Sequence, residues 1–538
     1  MSPVSGGGPT TAADGESLAR ARRLDWRLLL PDPSPARVAY LGPPDDGLLA
    51  ALDDAGWERV PPADGPDLVI VARPTADRLA AAIAAVRPGG WVYVETRGLL
   101  GGGFRRRELG PGVVASRLAR AGFGQVRRQL QAPPRAPKVI VPLDEPHALR
   151  LFLARRRGLP GRGVVTAALE LTRRTGLLAR LAPRVSLVAR RPAAADEPGV
   201  AVRDAIGTHL AGLGPAAGGA AVHAPLLLTP RFEASRNVIA LVPGIEPGRP
   251  AIVVKVARRG TDGAATEREA AGLRLLHGEP DRWPDAPRLL DVGRPWGLPT
   301  IVQTAVPGRP LDPVAVARDP ERAIELGVGW LASLVERSAA GEPADARLER
   351  LVTGPLDRLG AATAGSLDRL VSATRAVAAE LHGCHLPRTF EHGDASHPNL
   401  ILLPGGGLTA VDWELAEPDG LPGHDLVAFL AYVATARAGA RTPAEQGEAI
   451  ATAVVGRAGW SDAAERSYAD AIGLDPALLR PLAVIAWARH VAGVVDRLVE
   501  GTPEPLGAER VAWIGEHRYT TAWRAAVAGH ATAEAAAR

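Results

Sequence analysis

The chain has 538 residues, too many for one ordinary domain and enough for two to four. Hydrophobic residues make up 46% and charged residues 23%, which excludes a collagenous, coiled-coil or wholly disordered chain and leaves material for buried cores. The net charge of +4 conceals an asymmetry: 30 basic residues face 18 acidic ones up to position 196, and 33 face 41 beyond it.

The basic first part leaves room for an anionic partner such as a phosphorylated carrier, nucleic acid or lipid head groups. The plainer reading is a solvated arginine-rich surface, because the runs Arg105 to Arg107 and Arg155 to Arg157 carry no interleaved aromatics, and nucleic acid is not the expected partner. The one cysteine, Cys384, allows no internal disulfide and no cysteine-based zinc site. The first residues lack an apolar h-region, and nowhere do about 18 uncharged apolar residues run together. The expectation is a cytoplasmic address with no transmembrane segment.

In chain order, residues 1–20 are rich in Gly, Ser, Thr and Ala and read as a disordered leader. Short β-like runs then alternate with helical stretches: RVAYLG (37–42), a helix near GLLAALDDAG, the short WERV (57–60), DLVIVA (67–72), a helix DRLAAAIAAV and WVYVET (91–96). Such alternation predicts a parallel sheet covered by helices, so residues 21–195 are expected to form an α/β, Rossmann-like domain. The segments RPGGWVYVET and RLARAGFGQVRRQL resemble class I S-adenosylmethionine-dependent methyltransferases. The cofactor turn of that family is eroded here: LGPPDDG keeps only Gly42 and Gly47, and Pro61-Pro62 stand where a ribose-binding carboxylate belongs. A non-catalytic domain is expected.

Proline and small residues in RRPAAADEPGV (190–200) mark a linker, which with a lead-in helix occupies 196–222. LLLTP (226–230), VIALVPG (238–244), AIVVKVARR (251–259) and TIVQTAV (300–306) predict a small antiparallel lobe over 223–306. Residues 307–538 read as a larger helical lobe. The whole is thus expected to be a Rossmann-like domain followed by an α+β, two-lobed one.

The stretch TFEHGDASHPNLILLPGGGLTAVDWELAEPDG carries the chemistry. LILL (400–403) and LTAV (408–411) predict a hairpin in which 403 faces 408 and 400 faces 411, placing Asn399 opposite Asp412. Two hard oxygen ligands at cross-strand separation suit Mg²⁺, which leaves its other positions to phosphate oxygens and water. Asp394, five residues before Asn399, is placed to accept a proton from a hydroxyl. No basic residue occurs from 391 to 420, and uncompensated charge invites a cation.

Lys255 lies mid-strand in AIVVKVA with apolar neighbours on both sides, where an ammonium needs an anion. Only Lys138 and Lys255 are lysine among 63 cationic residues, so this one is a marked choice of a compact charge. Glu269, Leu273 and Leu276 share one face of the helix TEREAAGLRLL while Glu267 points away, which makes Glu269 the expected partner.

His392-Gly393-Asp394, Asn399, Asp412-Trp413-Glu414 and Gly423-His424-Asp425-Leu426 together resemble the aminoglycoside phosphotransferase family, which includes choline-kinase-like enzymes. The resemblance covers about 200–538 and implies a protein-kinase-like fold with ATP and Mg²⁺ as cofactors. It further implies Asp394 as base, Asn399 and Asp412 as metal ligands, and His392 and Asp425 as supports of the loop. The Lys255 and Glu269 pair belongs to the same pattern. The loop PRFEASRN (230–237) would cover the phosphates with Ser235 and Asn237 although it has no glycine, and Thr304 to Val306 would be the hinge for adenine. The expected reaction moves the γ-phosphoryl group of ATP to a hydroxyl of a small acceptor, a sugar, amino sugar or amino alcohol. The alternative is a non-catalytic scaffold or sensor.

Overall fold

The computed structural model describes residues 12–98, 107–133, 137–155, 172, 177–193, 203–214, 223–231, 235–244, 248–278, 283, 285–336, 342–456, 458–499 and 505–537. It divides into two compact units. A sheet unit comprises residues 12–266 and 288–305, and a helical unit is built mainly from 267–287 and 306–538.

Among the described residues, the sheet unit carries twelve strands: β1 (Arg37–Leu41), β2 (Glu58–Arg59), β3 (Leu68–Ala72), β4 (Trp91–Arg97), β5 (Gly124–Ala132), β6 (Val139–Pro142), β7 (Arg184–Arg190), β8 (Leu226–Leu228), β9 (Asn237–Pro243), β10 (Pro250–Ala257), β11 (Leu289–Gly293) and β12 (Thr300–Thr304). Their order is β11-β12-β10-β9-β8-β6-β5-β7-β4-β3-β1-β2. β2, β1, β3 and β4 run parallel. From the β4–β7 pair onward every pairing is antiparallel. The helices between the parallel strands start on side-chain caps: Asp45 Oδ1 accepts from the Leu48 N–H at 3.0 Å, and Thr75 Oγ1 from the Arg78 N–H at 3.3 Å.

The sheet crosses from the segment before the linker to the segment after it without a break. β6 pairs with β8 in the register Val139↔Leu228 and Ile140↔Leu227. An unpaired β6 would expose a row of backbone donors and acceptors, and β8 covers it. Along β3, Leu68 and Ile70 face one side and Val69 and Val71 the other, the period of a strand buried on both faces. On one face Leu24, Trp26, Ile70, Tyr93, Ile206, Leu227 and Val254 belong to a single cluster that spans both segments. Trp26 stacks on Tyr93 with 3.8 Å between centroids. Asp25 forms a buried bidentate pair with Arg258, at 2.8 and 3.1 Å, and Arg27 donates to the Arg258 carbonyl at 2.7 Å.

Residues Ala12–Ala21, inside the expected disordered leader, form a helix. Leu18 is fully buried and Arg20 pairs with Glu16 and Asp54, which anchors a segment whose composition reads as disordered. Residues 1–11 of the leader, 194–200 of the linker, 232–234 of the phosphate loop, and Arg105, Arg106, Arg156 and Arg157 lie outside the described residues.

Among the described residues, the helical unit contains two small sheets, made of β13 (Arg309–Pro310), β14 (Val335–Glu336), β15 (Arg388–Glu391), β16 (Leu400–Leu402), β17 (Leu408–Ala410) and β18 (Glu417–Gly420). Their orders are β13-β16-β17 and β14-β15-β18. Helices His424–Arg437 and Leu479–Val499 run through its core. A Cβ at Gly327 would overlap the Phe429 ring, so glycine sets the close approach of helix Pro320–Ser333. Among the described residues one helix, Pro476–Val499, is long and apolar enough to cross a membrane, and 67% of its most apolar window is buried inside the fold. Trp487 and Trp523 are fully buried, and Trp523 Nε1 donates to Thr374 Oγ1 at 2.8 Å. Trp513 is half-buried beside His517.

Candidate active site

β15 ends at Glu391, and the chain turns through His392, Gly393 and Asp394 before entering β16. Gly393 has φ of 84°, and a Cβ there would sit 2.6 Å from the Leu415 carbonyl oxygen. Only glycine fits both conditions. Asp425, at the start of helix His424–Arg437, receives the turn: its two oxygens accept the N–H groups of His392 at 2.6 Å and Gly393 at 2.9 Å. Burial, reinforced by the nearby charge of Glu391, pushes the Asp425 carboxyl up to about 7 against the opposing pull of those two hydrogen bonds.

His392 is fully buried and neutral in its hydrogen-bond pattern. Its Nδ1 accepts from the Asp394 N–H at 3.2 Å, so Nε2 carries the proton and donates to the Val411 carbonyl at 3.0 Å. Its ring meets Trp413 edge-on at 4.6 Å. This one side chain therefore ties the turn holding Asp394 to the strand end that leads to Asp412.

Asp394 is exposed, and its carboxylate is held from two sides. Ser396 Oγ donates to Oδ1 at 2.9 Å and Asn399 Nδ2 to Oδ2 at 2.9 Å. Asn399 Nδ2 also donates to the Asp394 carbonyl at 3.2 Å. With its amide nitrogen committed in this way, Asn399 retains Oδ1 as the atom able to bind a cation.

The hairpin register differs from the sequence expectation by one residue. Leu400 pairs with Ala410 and Leu402 with Leu408, so Asn399 opposes Val411 and receives its N–H at 3.0 Å. The cause is the turn: the Leu403 N–H donates to the Gly407 carbonyl at 2.9 Å and Gly406 takes φ of 88°, closing the loop on three residues, 404–406, instead of four. Asp412 lies one position beyond the ladder, with φ of 74°. A left-handed aspartate costs of order 1 kcal/mol and is tolerated because a short polar side chain suits that region.

Other expected residues fall as follows. Lys255 is buried on β10 between Ile239 on β9 and Ile301 on β12. In the helix Ala264–Gly278, Glu269, Leu273 and Leu276 are buried and Glu267 is exposed, the face the spacing predicts. Lys255 and Glu269 belong to different units. Ser235 is buried, with its Oγ and carbonyl both accepting from Arg258 at 3.1 and 2.7 Å, an engagement the sequence did not suggest. Asn237 opens β9 opposite Ala257. Thr304 closes the β11 edge, exchanging hydrogen bonds with the Arg288 backbone, and Val306 follows in the helical unit.

Sequence reasoning missed the framework beneath the loop. Glu391, next to His392, makes a bidentate pair with Arg489 at 2.6 and 2.7 Å and accepts the Leu421 N–H at 2.7 Å. Arg347 is buried and donates to the carbonyls of Leu386, Pro387 and Gly420 at 2.6, 3.1 and 2.7 Å. An arginine alone within the apolar run AVIAWARHVAGVV, and a glutamate ending a strand, were the signals available.

Comparison with known proteins gives three findings. Residues 244–465 match the model of the phosphotransferase enzyme family. No curated protein matches the chain in sequence. Among solved structures, a choline kinase from Streptococcus pneumoniae is 14% identical with a TM-score of 0.34, covering 55% of this chain and 90% of its own. An ethanolamine kinase from Plasmodium vivax is 12% identical with a TM-score of 0.34, covering 54% and 79%. The aminoglycoside phosphotransferase APH(3'')-Id from Streptomyces rimosus is 19% identical with a TM-score of 0.33, covering 54% and 97%. What this chain is similar to over residues 244–465 is thus the phosphotransferase enzyme family.

Proposed function

We propose that the protein is a small-molecule kinase that moves the γ-phosphoryl group of ATP to an acceptor hydroxyl, a sugar, amino sugar or amino alcohol. The observation that carries this reading is the clamp on Asp394. Ser396 and Asn399 each donate to one oxygen of an exposed carboxylate, fixing it where an acceptor can reach it. Asp394 is then the base that takes the hydroxyl proton, and a base so positioned contributes about 10² to 10⁴-fold to rate.

Asn399 Oδ1 and the Asp412 carboxylate are the residues that would hold Mg²⁺. An oxygen-only donor pair fits a hard cation with two protein ligands. Bound there with ATP, the ion would neutralise charge on the phosphate oxygens. Lys255, a compact buried charge on β10, is assigned to the phosphates. Thr304 to Val306 are assigned to adenine through their backbone. His392 and Asp425 hold the loop. An ATP-consuming reaction implies a compartment that holds ATP, so the reading places the protein in the cytoplasm.

Residues 21–195 are read as a Rossmann-like, non-catalytic part. The ends of β1 and β3 are where a doubly wound sheet takes its ligand. Here the Tyr40 phenol lies over Gly42 and donates to the Pro43 carbonyl at 2.7 Å, occupying the space a cofactor would enter. The non-catalytic alternative for the kinase-like part has one observation in its favour, the engagement of Ser235 by Arg258.

The test is thermal-shift titration with Mg-ATP followed by ADP release against a panel of hydroxyl acceptors. Stabilisation by Mg-ATP that weakens in Lys255→Ala and Asp412→Ala supports the kinase. No shift at millimolar nucleotide favours the scaffold.

A further inference from the structure

Away from the loop described above, three metal-ligating side chains meet in the sheet unit. Glu145 and His147 follow β6 and open the helix Pro146–Arg155, and His223 lies three residues before β8. Glu145 Oε2 is 3.4 Å from His223 Nδ1, and Glu145 Oε1 accepts the His147 N–H at 3.1 Å. The imidazoles of His147 and His223 stack with centroids 4.2 Å apart and planes 24° from parallel. One ligand atom from each residue lies within 4.8 Å of the other two.

A second observation bears on the same place. His147 Nδ1 is buried from solvent and has no hydrogen-bond partner. The contact between His223 and Glu145 satisfies those two groups but leaves this nitrogen stranded, and an unsatisfied buried polar atom is costly. A cation shared by all three removes the deficit at once.

We propose that Glu145, His147 and His223 form a binding site for a divalent transition-metal ion of the zinc class. Two imidazole nitrogens and one carboxylate oxygen are a donor set suited to zinc, with a fourth tetrahedral position left to water. Ligand atoms about 2.0–2.1 Å from a tetrahedral ion stand about 3.4 Å apart, which the Glu145–His223 pair already meets. His147 closes the remaining distance by turning its ring.

The location gives the ion a role. Two of the ligands continue β6 and the third leads into β8, and β6 with β8 is the pair that joins the two halves of the long sheet. Binding ties the approaches to that pair together. The site is remote in sequence from the residues assigned to phosphoryl transfer, and predicts a stability that depends on metal.

The experiment uses the full chain without a histidine tag, stripped with chelator and titrated with Zn²⁺ and separately with Co²⁺. The expected result is one ion per chain, a saturable rise in Tm with Zn²⁺, and visible Co²⁺ absorption of tetrahedral strength. His147→Ala and His223→Ala should each weaken Zn²⁺ binding by about tenfold or more, which is about 1.4 kcal/mol. Circular dichroism of the metal-free variants checks that they fold, and Glu145→Gln, which keeps the side-chain volume, serves if an alanine variant does not. Wild type that shows neither a Tm rise nor tetrahedral Co²⁺ absorption overturns the proposal. So does zinc affinity that is unchanged in the folded variants.

Discussion

The end of β1 in the sheet unit and the turn after β15 in the helical unit are both places where strand meets loop through a glycine, and they have been finished in opposite ways. At Gly42 the neighbouring Tyr40 ring folds over the backbone and its hydroxyl is consumed by the Pro43 carbonyl. At Gly393 the close contact is to Leu415 behind the turn, and the polar groups in front hold the Asp394 carboxylate outward. A glycine marks only a close approach; what approaches decides whether a ligand has room.

Four measurements break or sharpen this contrast. Asp394→Asn should lower phosphoryl transfer by about 10² to 10⁴-fold while leaving Tm nearly unchanged, since the side chain is exposed. Equal activity in that variant removes the base from Asp394. Arg489→Ala leaves Glu391 buried without its bidentate partner and should cost about 3–5 kcal/mol in denaturant unfolding. Asp425→Asn keeps the shape but turns a donor toward one of the two N–H groups it faces, with an expected loss of about 1–3 kcal/mol. At the β1 end the prediction is of no effect: S-adenosylmethionine should leave the Tm of wild type where it was, and a shift would mean that Tyr40 moves aside.

Stability against pH separates two groups with opposite signs. Asp425, raised to about 7, holds a proton in the folded state that it has released when unfolded above about 4, so its contribution is lost as pH rises from about 4 to 7. His490, lowered to about 3 first by burial and then by Arg489 and other arginines, is neutral when folded at a pH where the unfolded chain is protonated. Its contribution is present above about 6.5 and falls as pH drops toward 3, at about 1.4 kcal/mol per pH unit for one proton. His490→Gln should therefore flatten the acid limb of the Tm profile, and an unchanged limb would remove His490 as its cause.

Much of this was legible in local pattern. β1, β3, β4 and β10 follow from runs of β-branched and apolar residues, and the burial of Glu269 with Leu273 and Leu276 follows from helical spacing. The hairpin register slipped by one because a left-handed Gly406 closes the turn on three residues instead of four, and a run of three glycines does not say which of them bends. Glu391 and Arg489 are 98 residues apart, and no periodicity links them. The helix over 12–21 was hidden by composition, since a single buried leucine, Leu18, anchors it among small residues. The pairing of β6 with β8 spans the linker, whose proline and alanine content reads as a border although the hydrogen bonds continue across it.

That pairing has a practical consequence for anyone wishing to study the kinase-like part alone. A fragment beginning near residue 200 would keep β8 but lose β6, leaving a short apolar strand, Leu226–Leu228, as an open edge. It would also lose Asp25, leaving the buried Arg258 guanidinium without its carboxylate, and would uncover the apolar face on which Trp26 and Leu24 rest. Such a fragment should aggregate at concentrations where the whole chain stays in solution, because the first 190 residues serve the second half as its missing neighbour strand.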